Sequence, residues 1–265
     1  MGRAGIGPFW RAVPILLLAL AVIGTRMMPA SAGAPRRVFL PAVLAGGPAC
    51  GPFPPQTYSS LPIEGAPTDR PAASHPDLNL ALRGYRPVSA YLGLVDIPGE
   101  ADAGAPQLAG LLVPRRPPRF TAAFQVYDWE WARDQRGGPI TDPPVTLARL
   151  AASAGEPLYV PDSGYTLGNG FEALVLYAEE RRITLKYTRE DNVVQGYTLH
   201  LEGICVHPHL VASYRRLDAA GRGELPALRA GQLIGISPGA DFGVAIRDAG
   251  RFLDPRSRKD WWQGY

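Results

Sequence analysis

The side chains able to do chemistry are few and scattered along 265 residues. The histidines are His75, His200, and His207 and His209 on either side of Pro208. Two histidines one residue apart on a strand point the same way, so His207 and His209 are candidate metal ligands, with His200 and Asp241 as further donors to a zinc ion. Pro208 interrupts such a strand, and surface or helix N-terminal positions are the competing place for the pair. His75 follows a Pro-rich stretch and reads as solvent-exposed.

Paired acids and a serine offer other reactions. Asp128 and Glu130 share one face of a strand, about 7 Å apart. Glycoside hydrolysis needs its two acids on opposite sides of a bond, so these read instead as strand-end charges balanced by Arg133 and Arg136. Ser163, in Asp162-Ser163-Gly164, lacks the Gly-x-Ser-x-Gly elbow and sits in a turn.

Aromatic residues point to binding. Tyr127, Trp129 and Trp131 alternate onto one strand face, and Trp261-Trp262 precede a final Tyr265. Such rings stack on sugars through their apolar faces and polar tips, and they equally well close a hydrophobic core. Arg256-Ser257-Arg258-Lys259-Asp260 reads as a solvated face. No Gly-rich phosphate loop or RNA-binding aromatic signature appears, so nucleotides and nucleic acids are not expected partners.

The elements that must carry these residues are mostly strands. Phe120 to Trp131 alternates cleanly, and shorter runs at Leu78–Leu82, Ala90–Val95 and Gly110–Val113 are broken by Gly or Pro. Ala173–Ala178 and Ile183–Tyr187 flank Glu179-Glu180-Arg181-Arg182 as a hairpin. Further strands fall at Tyr197–Leu201, Gln232–Ile236 and Gly243–Arg247. One helix is expected from Pro208 to Leu217, where Leu210, Val211, Tyr214 and Leu217 recur at helical spacing before Gly221.

The N-terminus sets the compartment. Arg3 and Arg11 precede the apolar run Ala12–Gly24, and small residues end at Ala30-Ser31-Ala32, the pattern of a secretory signal cleaved near Ala32. The formal charge of +3 belongs to that leader, because Arg3, Arg11 and Arg26 are its only charges; 27 basic residues less 3 leave 24, against 24 acids. Residues 33–76 hold ten prolines and read as a linker or strap, with a plain tether expected for 46–74. Cys50 and Cys205 are the only cysteines; they either make one disulfide in an oxidising compartment or remain two free thiols.

From Gly155 to Pro255 the order GEPLYVPDSGY, hairpin, YTLHLEGI, LPALRAGQLIG, GVAIRDAGRFLDP resembles the lysostaphin-like barrel of M23 peptidases, over about 40% of the chain. The segment Ala230–Gly235 carries most of the likeness. The resemblance implies a zinc site, but Val145 and Arg149 stand at its first two ligand positions and Asp241 and Gly243 at its His-x-His. Only His200 matches, at the place of a general-base or second-shell histidine. A barrel that has kept its scaffold and lost its metal is what this implies.

The expected architecture is mainly β: a signal peptide at 1–32, a Pro-rich linker or strap at 33–76, a small β module at 77–142, and a β-barrel or sandwich with one short helix at 143–265. The expected function is an exported, non-catalytic envelope or extracellular module, without cofactor, binding glycan or cell-wall peptidoglycan through Tyr127, Trp129, Trp131, Trp261 and Trp262. It has no membrane span once the leader is cut. The rival is a divergent zinc hydrolase acting on cell wall through His200, with His207, His209 and Asp241 as ligands.

Overall fold

The computed structural model describes residues 50–265; the expected leader, 1–32, and residues 33–49 of the Pro-rich stretch lie outside the described residues. Alternation of apolar and polar residues produces strands, and the chain is mainly β. In order they are β1 (Ser59–Pro62), β2 (Tyr85–Val88), β3 (Phe120–Glu130), β4 (Gln135–Pro139), β5 (Leu147–Ala151), β6 (Pro157–Tyr159) and β7 (Ala173–Glu179). They continue with β8 (Arg182–Lys186), β9 (Tyr197–Glu202), β10 (Cys205–Val206), β11 (Glu224–Leu228), β12 (Leu233–Ile236), β13 (Asp241–Asp248) and β14 (Arg251–Leu253). Helices are α1 (Leu80–Arg83), α2 (Pro208–Ala219) and α3 (Arg258–Trp261).

The large sheet runs β1-β11-β7-β8-β9-β13-β5-β3-β2, with β14 also on β13 and β4 also on β3. A small sheet, β10-β12-β6, lies beside it. β3, from the expected N-terminal module, pairs with β5 of the expected barrel region, and residues on both sides of Pro143 thus share one sheet. All the described residues fall in one compact unit. The β7–β8 hairpin closes at Glu179 opposite Arg182, as its composition predicts.

Strand period two divides the sheet into two different faces. Ile183, Leu185, Leu199, Leu201, Phe242, Val244 and Ile246 point into the main core. Their neighbours Thr184, Lys186, Thr198, His200, Glu202 and Arg247 are buried on the opposite face. A smaller apolar cluster of Leu80, Val126, Leu147, Ala245 and Phe252 shares that second face, with Tyr85, Phe124 and Ile140 packed against it.

Three short runs expected as strands are not. Leu80–Arg83 is a single helical turn, because Asn79 accepts from the Ala81 N–H at 3.3 Å and Gly84 leaves at φ 65°. Leu108–Leu111 forms a 3-10 turn, and Ala90–Val95 lies outside the sheets, joined to the C-terminal segment by a bridge from Val95 to Ser257 and by Arg256, which donates to the Tyr91 carbonyl. Helix α2 matches its expectation, with Pro208 in the first turn and His207 Nδ1 accepting from the His209 N–H at 3.2 Å.

From Cys50 onward the Pro-rich stretch is a strap, where a tether was expected. Cys50 is disulfide-bonded to Cys205, and Ser59–Pro62 pairs with β11 from Ser59 opposite Ala227 to Pro62 opposite Glu224. Prolines confine the pairing to a sheet edge, where the missing N–H groups face outward. No helix of the described residues is long and apolar enough to cross a membrane.

Candidate functional site

The second face of the sheet carries polar side chains in three rows, set by register. Arg149, Gly243, Glu202 and Arg182 are successive cross-strand partners. So are Ala245, His200 and Thr184, and then Arg247, Thr198 and Lys186. Directly opposed residues share a face and lie about 5 Å apart, so Glu202 meets Arg182, His200 meets Thr184, and Thr198 lies between Arg247 and Lys186.

His200 is fully buried in the middle row. Thr184 donates its hydroxyl hydrogen to the Leu78 carbonyl at 2.7 Å, so its oxygen must accept from His200 Nδ1–H at 3.0 Å. That fixes the tautomer and leaves Nε2 a bare acceptor without a partner. Burial, reinforced by the charges of Arg247 and Arg83, pushes the His200 pKa down to about 3, so the ring is neutral. Phe252 stacks on it with ring centroids 6.1 Å apart.

Lys186, in the third row, is wholly buried and its Nζ has no hydrogen-bond partner. Burial drives its pKa down to about 8, only partly offset by Glu190 and Asp248. Beside it Arg247, 4% exposed, donates to Asp77 Oδ1 at 2.8 Å, and Arg83 reaches the same oxygen at 2.6 Å. Burial alone would raise the Asp77 pKa; Arg247 and Arg83 outweigh it and hold the carboxyl down to about 2.

These three charges form the floor of a cleft of about 430 Å³, rimmed by Asp128, Trp131, Asp142, Val194 and Arg251. Trp131 is 47% exposed. His75 meets its ring edge-on with centroids 5.6 Å apart, and the Arg70 guanidinium lies 5.4 Å from its centroid. The volume is within the range of small-molecule sites, and an aromatic face among planar charged groups suits a hydroxyl-rich ligand.

The expected aromatic platforms separate. β3 ends at Glu130, and Trp131 begins a turn in which the Asp134 N–H returns to its carbonyl at 3.3 Å. Released from the alternation, Trp131 lines the cleft together with Asp128 and parts from Tyr127 and Trp129. Tyr127 lies under the Arg136 guanidinium, 5.2 Å from its ring centroid, and Trp129 Nε1 donates to Asp134 at 3.2 Å.

Trp261 and Trp262 are not a surface pair: each is 1% exposed. Their indole N–H groups donate to the carbonyls of Asp254 and Pro255 at 2.8 and 2.9 Å, and Phe120 packs edge-on against Trp262. Tyr197 likewise packs edge-on against Trp261, with ring centroids 5.6 Å apart.

Of the proposed metal ligands, His207 and His209 meet each other with ring centroids 5.2 Å apart, but each has a different carbonyl partner, and His200 and Asp241 have partners of their own. His207 Nε2 lies 3.0 Å from the Pro54 carbonyl and His209 Nδ1 3.0 Å from that of Gln56, so both contact the strap. Asp241 accepts from Arg149 Nε at 2.8 Å and pairs with its other nitrogen at 2.6 Å. His200 stands opposite Ala245, four residues along β13 from Asp241, or about 13 Å of strand. Ligands of one ion sit at roughly 2 Å from it. At the positions that the M23 resemblance reserves for ligands, the Arg149–Asp241 ion pair puts a guanidinium, a residue type that cannot donate to zinc. Among the described residues no group of three or more His, Cys, Asp or Glu is arranged to hold a metal.

The acids Asp128 and Glu130 also have separate partners: Asp128 meets Arg83 at 3.3 Å and Glu130 meets Arg133 at 2.8 Å. His75, expected to be exposed, is half-buried through its contacts with Trp131 and the Asp77 N–H. Sequence reasoning missed Asp77, Arg83 and Arg247; Asp77 and Arg83 lie six residues apart around Leu78, Leu80 and Leu82, but the Asp77–Arg247 pairing spans 170 positions. No family model, curated protein or solved structure matches the chain.

Proposed function

We propose that the chain is an exported, non-catalytic glycan-binding module, and that the cleft beside Trp131 takes the sugar. The observation that carries this reading is an indole 47% exposed at a cleft of about 430 Å³. Its ring is braced by His75 and Arg70, and carboxylates and guanidinium groups flank it. A rigid aromatic face takes the apolar side of a pyranose, while fixed charges take its hydroxyls.

Export is supported by the leader-like composition of residues 1–32 and by the Cys50–Cys205 disulfide, a bond that persists in oxidising compartments. The likeness to an M23 barrel without its zinc fits the same reading, with the fold serving as a scaffold. The hydrolase alternative needs His200, His207, His209 and Asp241 around one ion, and their separate partners speak against it.

Retention of the purified protein on insoluble peptidoglycan or chitin tests the proposal. The wild type is expected to be retained and Trp131→Ala released, with unchanged melting temperature. Equal retention of both overturns it, as does stoichiometric zinc that His200→Ala removes.

A further inference from the structure

The cleft beside Trp131 has a second lobe. The first, of about 430 Å³, passes over Asp128, Asp142 and Arg251. The second, of about 320 Å³, passes over Thr68, Asp69, His75 and Asn192. Asp77, Trp131, Val193 and Val194 line both, so these four residues mark the junction.

The junction is built and held from both sides. Trp131 comes from the β3–β4 turn, and Val194, 63% exposed, comes from the segment between β8 and β9. That segment is pinned by Asp191, 1% exposed, which accepts from Arg222 at 2.7 Å and from the Thr68 N–H at 2.9 Å. Below, Asp77 lines both lobes and takes Arg83 and Arg247 on the same oxygen, Oδ1. Both walls and the floor are therefore set before a ligand arrives, which reduces the entropy lost on binding.

Building on the glycan reading above, we propose that the ligand is a linear chain of at least three sugar rings crossing this junction. One ring stacks on Trp131 and donates a hydroxyl to the Asp77 carboxylate, and its neighbours occupy the two lobes. The lobes, of about 430 and 320 Å³, are each large enough for a small ligand, so a single ring leaves one lobe unused. An apolar peptide would offer the Asp77 carboxylate no donor.

The test is calorimetric titration of the purified protein with β-1,4-linked N-acetylglucosamine oligomers of one to six rings. Affinity is expected to rise by about ten-fold or more from one ring to four. Asn192→Ala in the second lobe and Arg251→Ala in the first are each expected to weaken the four-ring oligomer several-fold. Equal affinity for one ring and four, or indifference of the four-ring oligomer to either variant, overturns the two-lobe ligand and leaves the glycan reading standing. Absence of binding at every length, together with no retention on the insoluble polymers, overturns both.

Discussion

Asp77 accepts from Arg247 at 2.8 Å across 170 positions of sequence, and the bond ties the segment before α1 to the middle of the sheet. Arg83 shares the same carboxylate and also meets Asp128 at 3.3 Å, so two acids balance the two buried guanidinium groups. Asp77→Ala would leave Arg247 without a carboxylate partner and Arg83 with Asp128 alone. A loss of about 3–5 kcal/mol is expected, read by urea or thermal unfolding.

Acid should weaken the fold through two groups. The Asp77 pKa is held near 2, below its unfolded value, so its contribution is complete above about 4 and lost as pH falls toward 2. His200 refuses a proton until about pH 3, whereas the unfolded chain accepts one near 6.5. The unfolded state thus binds more protons between those values, and stability falls as pH drops through that window. Unfolding free energy measured from pH 7 to 3 should decline steadily; a flat profile refutes the burial of His200.

Lys186 should act in the opposite range. Its folded pKa of about 8 lies below the unfolded value of 10.5, so the penalty is complete below pH 8 and relieved as pH rises toward 10.5. The shift corresponds to a cost on the order of 3 kcal/mol near neutral pH. Lys186→Met keeps the length and removes the charge, and is expected to raise stability by about 1–3 kcal/mol and abolish the alkaline slope. A destabilised variant means that Nζ has a partner in solution.

The strap depends on Cys50–Cys205, whose sequence separation is 155 residues. Cys50→Ser with Cys205→Ser should cost about 2–5 kcal/mol, chiefly by releasing the unfolded chain. Mass spectrometry under non-reducing conditions and a lowered melting temperature check this together.

Trp262→Ala and Trp131→Ala should separate stability from binding. The first empties a core position and should cost about 3–5 kcal/mol. The second removes a half-exposed ring, should leave the melting temperature near that of the wild type, and should abolish retention on glycan polymers. Reversed effects would return Trp262 to the binding surface.

The amino-acid sequence by itself determined the local elements. Period-two alternation placed β3, apolar runs flanking Glu179-Glu180-Arg181-Arg182 placed the β7–β8 hairpin, and the spacing of Leu210, Val211, Tyr214 and Leu217 before Gly221 placed α2, because side-chain direction is a local property of the backbone. It could not place the short runs at Leu80 and Leu108, where Asn79 as a cap and close packing override a weak alternation. Nor could it sort the tryptophans, since Trp131 and Trp262 are alike in type and differ only in what surrounds them.

Tertiary structure alone decided which polar residues meet. Cross-strand register lined up Arg247, Thr198 and Lys186, and chain return brought Asp77 beneath Trp131. Such contacts join residues far apart in sequence, and their cost or benefit arises only when water is removed from around them. The same separation carried His200, His207, His209 and Asp241 to different neighbours, so histidines and an acid suited to a metal in composition serve the core, the α2 cap, the strap and an ion pair.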